Sequence, residues 1–136
     1  YIGPARVWTT SLRDGPLTPE HFASAGLDGV ERLLIHSHVS DLDDDQWPEI
    51  FPYLSVALIT WLAEKGVRLI GLDSPSVDAF DSADLPCHHA LRQYGIVNLE
   101  TLFLRGVPDG DYELVALPLK LDDTCGSPVR AILRAL

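Results

Sequence analysis

The stretch LSVALITWLAEKGVRLIGL, residues 54–72, decides the fold class. Ser55 is placed to cap a helix, and Val56, Ile59 and Leu62 recur at helical spacing on one face with Trp61 close by. Gly66 is placed to end that helix, and VRLIGL (67–72) follows at once as a wholly apolar strand. An amphipathic helix that passes through a glycine directly into a buried strand is the signature of an α/β architecture.

Working outward, PARVWTTS (4–11) reads as a strand from its β-branched and aromatic content, and ERLLIHS (31–37) as a second, short one. Between them, LTPEHFASAG (17–26) carries the marks of a helix: Thr18 as N-cap, Pro19 at the first position, Glu20 in the first turn and Gly26 as the stop. DLDDDQWPEI (41–50) is an acidic loop that Pro48 keeps out of any long helix. Beyond residue 72, a loop rich in Asp, Ser and Pro (73–84) leads into a short helix over about 85–94. Then come a strand at IVNLE (96–100), a Pro-Asp-Gly turn leading into a long strand in VPDGDYELVALPLKL (107–121), and a last strand at PVRAILRAL (128–136). The expectation is one domain, a mixed β-sheet with helices packed against it.

Composition narrows the function. The chain has 136 residues, enough for one sizeable core, and is 46% apolar and 22% charged, which is a globular balance. A net charge of −10 leaves nothing to neutralise a run of phosphates, so nucleic acid and anionic membranes are not expected partners. No apolar run is long enough to span a bilayer, and no signal peptide opens the sequence. Two cysteines, Cys87 and Cys125, make no disulfide framework, and a reducing cytoplasmic setting is expected. The chain opens on Tyr1 and contains no methionine, from which a fragment of a longer protein is expected.

Chemistry concentrates in DLPCHHALRQYGIVNLETL (84–102). On a helix over 85–94, Leu85, His88 and Leu91 share the inner face, whereas His89 falls with Arg92 and Gln93 on a polar one. Glu100 ends an apolar strand, where a carboxylate is awkward to bury unpaired and where α/β folds often place functional groups. An imidazole and a carboxylate are acceptable ligands for Zn²⁺ or Mn²⁺, but two ligands are few. A hydrogen-bonded core histidine is the competing reading. His36 and His38 could share one face of a strand, yet a strand end running into a solvated acidic loop explains them as well. The DDD run lacks the glycine and terminal glutamate of a calcium loop. Trp47, Phe51 and Trp61 could line an aromatic pocket or simply belong to core or interface. Asp73 and Ser76, in the loop after the apolar strand, are candidates for supporting a site from behind, and Cys87 is assigned to packing.

Taken together, the segments YIGPARV, FPYLSVALITWLAEKGVRLIGLDSPSVD, DSADLPCHHAL, GIVNLETL, GVPDGDYELVALPLKL and GSPVRAILR resemble the cyclase-like metal-dependent hydrolases, and within them the bacterial kynurenine formamidase (arylformamidase) branch. The resemblance runs over nearly the whole chain. It implies a swivelling β/β/α fold, a homodimer, two divalent metals (commonly zinc), and hydrolysis of N-formylkynurenine to kynurenine and formate. The family's late ligand pair, a His followed twelve residues on by a Glu, falls on His88 and Glu100, whereas His36 and His38 match no family ligand. The family's early motif, H-x-G-T-H-x-D-x-P-x-H, supplies three further ligands and a catalytic His. It has no counterpart here, so the resemblance implies a C-terminal two-thirds with the catalytic His upstream of Tyr1. On that reading the chain alone holds metal weakly and is inactive. A related hydrolase acting on another amide or a lactam, and a non-catalytic module that keeps the fold, are the alternatives.

Overall fold

A computed structural model describes residues 1–43 and 45–136; Asp44, in the acidic loop, lies outside the described residues. The strands are β1 (Ile2–Thr9), β2 (Gly15–Leu17), β3 (Arg32–His36), β4 (Pro52–Leu54), β5 (Leu69–Leu72), β6 (Val97–Leu99), β7 (Gly110–Val115) and β8 (Ile132–Ala135), with helices α1 (Val56–Glu64) and α2 (Pro86–Tyr94). Six strands form one sheet in the order β6-β5-β3-β1-β7-β8. β1, β3, β5 and β6 run parallel, and β7 and β8 close the other side antiparallel. The expected mixed α/β sheet is therefore present.

Side-chain alternation sorts the sheet into two faces. Leu33 and Ile35 of β3 and Ile70 and Leu72 of β5 meet Leu58, Ile59 and Leu62 of α1 and Leu91 of α2. Leu34, Leu69, Leu99, Val7 and Leu114 form a second cluster on the opposite face. β5 is buried on both sides, as its unbroken apolar run requires. The α1 end follows the sequence closely: Ser55 Oγ accepts from Leu58 N at 3.1 Å, and Gly66, at φ 88°, turns the chain toward β5.

The sequence reading needs four corrections. The expected helix over 17–26 is a single 3₁₀ turn, Pro19–Phe22, opened by Thr18 N donating to His21 Nδ1 at 3.0 Å. The backbone bonds around it span three residues, His21 N to Thr18 O, Ala23 N to Glu20 O and Ala25 N to Phe22 O, while Phe22, Ala25 and Leu27 enter the core. The long strand after the Pro-Asp-Gly turn stops at Val115, opposite Ile2; Ala116 N donates once more, to Tyr1 O, and Pro118 then has no N–H to continue the ladder. Val56 is not on the inner face of α1 but is 44% exposed at the first helical position, and Leu58 takes its place in the core. A small parallel sheet, β2 with β4, was not anticipated, since three-residue strands carry no periodic signal.

Substitution of Leu62, which is fully buried, should separate from that of Val56 on the same helix. Leu62→Ala is expected to cost about 2–5 kcal/mol and Val56→Ala about 0.5 kcal/mol or less, measured by urea unfolding. A second prediction concerns β1 and β7, where Arg6 Nε and Nη2 grip Asp111 Oδ1 and Oδ2 at 2.8 and 2.9 Å. These hydrogen bonds, opposed by slight burial, hold the Asp111 carboxyl below its usual range. A depressed folded value stabilises above the unfolded pKa, about 3.9, and the benefit is lost as pH falls through the folded value. Asp111→Asn should therefore cost less than about 1 kcal/mol at neutral pH, the pair being half-exposed, and nothing in strong acid. Equal destabilisation at both pH values would contradict this.

Candidate metal site at the end of β6

α2 is an unusual helix. Its N-cap position is Leu85, which sits in the left-handed region at φ 46° and offers no capping side chain. Pro86 supplies no N–H, so the first donors are Cys87 N and His88 N. Both go to Asp78, eight residues ahead of Pro86: Cys87 N to Oδ1 at 2.7 Å and His88 N to Oδ2 at 3.1 Å. The same Oδ2 lies 2.7 Å from His88 Nδ1. Burial works against the Asp78 charge, but the hydrogen bonds from Cys87 and His88 outweigh it and hold the carboxyl below its usual range.

At the far end of the sheet β6 delivers Glu100, whose Oε1 lies 3.3 Å from His88 Nε2 and accepts from Val77 N at 3.0 Å. The next residue, Thr101, has φ 57°, a strained conformation for a β-branched residue, and its N–H is tied to Ser74 O. Left-handed residues thus flank both His88 and Glu100, and such strain gathers at functional sites. The two side chains, 36% and 28% exposed, open onto a cleft of about 1030 Å³ on the sheet face that carries no helix.

His88 and Glu100, twelve residues apart, are therefore brought together. A gap of 3.3 Å suits two ligands of one tetrahedral ion with bonds of about 2.0–2.2 Å, and the donor types suit Zn²⁺ or Mn²⁺. Among the described residues, no group of three or more His, Cys, Asp or Glu side chains is placed to share an ion. The pair fits a metal as part of a coordination shell and not as the whole of one. His89 is exposed, as its helix face requires.

The other candidates are dispersed. Asp73 is buried, but its carboxylate serves the end of β3, accepting from Ser37 N and Ser37 Oγ at 2.8 Å each and from Ser40 N at 3.2 Å. Ser76 Oγ accepts from Asp78 N at 3.1 Å, so it stands behind Asp78. His36 and His38 are not solvated: both ring nitrogens of His36 and Nδ1 of His38 are buried without a hydrogen-bond partner. Burial, then Arg13, pushes His38 below its ordinary value against the pull of Asp73, the Ile50 carbonyl and Asp41. Cys87 donates its thiol to Leu54 O, and burial, with Asp78 nearby, pushes it up to about 12, which leaves it inert. Of the aromatics, Phe51 is core and meets Phe80 edge-on, Trp61 packs from α1 against the core and Trp47 is exposed, so no shared pocket forms among them. Asp78 escaped the sequence reading. Its signal was a missing cap: Leu85-Pro86 opens a helix with nothing to satisfy Cys87 N and His88 N.

The family model described as "Putative cyclase" matches residues 2–79, more than half of the chain. The chain is 47% identical over all 136 residues to a kynurenine formamidase of Bacillus cytotoxicus, covering 64% of that protein. It is 46% identical over 134 residues to one of Salinibacter ruber, covering 98% of this chain and 63% of that protein. A solved structure described as a potential metal-dependent hydrolase with cyclase activity superposes with a TM-score of 0.85 at 27% identity, over 97% of this chain and 64% of the other. The chain thus spans just under two-thirds of the length of these relatives.

Asp73 and Asp78 should be separable by mutation. Asp73→Ala strands the buried Ser37 and Ser40 N–H groups and should lower stability by about 2–4 kcal/mol in urea unfolding. A change below about 0.5 kcal/mol would show that the Asp73 network does not hold the end of β3.

Proposed function

The chain belongs to the cyclase family, and from that premise we propose that the protein is a metal-dependent amide hydrolase converting N-formyl-L-kynurenine to L-kynurenine and formate in tryptophan catabolism. The observation that carries this reading is the approach of His88 Nε2 to Glu100 Oε1 at the mouth of a cleft. The similarity to kynurenine formamidases over the whole chain supports the substrate. The similarity to a metal-dependent hydrolase supports a divalent ion, which we read as zinc, with manganese as the alternative and two ions per site.

In this mechanism His88 and Glu100 would hold the metal through Nε2 and a carboxylate oxygen. Such an ion polarises an amide carbonyl and lowers the pKa of a bound water toward neutrality. Glu100 keeps its position because Val77 N grips the same carboxylate. His88 keeps its position because α2 is anchored at its first turn. The cleft, with Phe103 and Leu102 in its wall, offers apolar surface to an aryl ketone. Further ligands and the proton-transferring group are supplied by residues other than this pair.

The reading extends to a homodimer in the cytoplasm. Leu117, Leu119 and Leu121, exposed in a row after β7, suit a subunit surface, and two unpaired cysteines suit a reducing compartment.

In protein isolated from its own source, N-formyl-L-kynurenine hydrolysis should be abolished by a chelator and restored by zinc or manganese. In the same protein, His88→Ala and Glu100→Ala should each lower kcat/KM by about 100-fold or more, while His89→Ala stays within about twofold. Full activity in His88→Ala would contradict the site. Faster turnover of another amide or a lactam would contradict the substrate.

A further inference from the structure

We propose that Asp78 is the positioning residue of this site: its one buried carboxylate caps the helix that carries His88 and fixes the His88 ring proton on Nδ1, so that Nε2 presents its lone pair toward Glu100. The carboxylate is almost wholly buried, its side chain 1% exposed, so hydrogen bonds inside the protein must replace water. Each of its oxygens is used. Oδ1 takes Cys87 N, and Oδ2 takes both His88 N and the His88 ring.

The geometry decides the tautomer. A carboxylate only accepts, so the ring nitrogen 2.7 Å from Oδ2 must be the donor. The contact on the other side of the ring is longer, 3.3 Å to Glu100 Oε1. The shorter, charge-assisted bond governs, and the proton belongs to Nδ1. Nε2 then faces a carboxylate oxygen, acceptor to acceptor. That arrangement is unfavourable when nothing lies between the two atoms and favourable when a cation does. A carboxylate that accepts from the far ring nitrogen of a ligating histidine, and so sets its tautomer, is a general device of metal sites.

The same loop fixes the partner. Ser76 Oγ holds Asp78 N, and Glu100 Oε1 holds Val77 N. Residues 76–78 therefore connect His88 to Glu100 through three consecutive residues. The tautomer assignment stands on geometry alone, and its consequence for metal binding rests on the functional reading above.

The test is long-range ¹H–¹⁵N correlation of the histidine side chains in the metal-free protein. It is run at about pH 8.5, above the ordinary imidazole range near 6.5. In the wild-type chain His88 Nδ1 should show a protonated, pyrrole-type shift. Asp78→Ala should return the proton to Nε2, the form free histidine prefers. Asp78→Leu fills the same buried space with no acceptor for the ring, and should give the same reversal in a folded chain. An unprotonated Nδ1 in the wild type would overturn the inference, as would an Nδ1–H that persists in both variants. Zinc titration then reads the consequence: affinity in Asp78→Leu should fall about 10- to 100-fold. A reversed tautomer with unchanged affinity would overturn the positioning role. Zinc that leaves the His88 resonances of the wild type untouched would count against the metal reading instead.

Discussion

A carboxylate taken out of water must be met by donors, and the loop that follows β5 places two of them in the interior. Asp73 gathers the N–H groups at the end of β3, and Asp78 gathers those at the start of α2. The loop is thereby a joint between elements distant in sequence. Its backbone closes the circuit, since Val77 N holds Glu100 and Ser74 O holds Thr101 N. Leu85 and Thr101 keep left-handed conformations that they would not adopt alone, because these bonds outweigh the local cost.

The sheet explains why the groups converge. In a parallel sheet the carboxyl ends of the strands lie along one edge, where loops collect. His36 ends β3, Asp73 follows β5 and Glu100 follows β6. α1 and α2 cover one face, and the other keeps an apolar cluster beside an open cleft. His88 looks onto that cleft from α2 because Gly95, at φ 65°, turns the chain directly into the partner strand β6. One short connection thus fixes the distance between a helix residue and a strand-end residue.

Much of this was legible in the sequence where a period or a punctuating residue carried it. Ser55 and Gly66 bounded α1, the LIGL run announced a buried strand, and helical phase separated His88 from His89. Legibility failed where tertiary contacts overrode local preference. Thr18-Pro19-Glu20 begins a turn that closes with three-residue bonds as Phe22 and Ala25 seat in the core, and no longer helix follows. β2 and β4 are too short to show alternation, and the burial of His36 and His38 depends on what the fold lays over them. Asp73 was read as a support for the site because it follows the apolar strand, but the carboxylate that reaches His88 is five residues further on. No spacing rule distinguishes the two. The unfilled cap before Pro86 does.

The account centres on His88 and Glu100 acting on one ion. Crystals of the chain grown with millimolar zinc, measured on both sides of the zinc absorption edge, test it most directly. Anomalous density between His88 Nε2 and Glu100 Oε1, about 2.0–2.2 Å from each, is the predicted result. Density confined to other places, such as the exposed His89 or the half-buried His36 and His38, with none between His88 and Glu100, would contradict it.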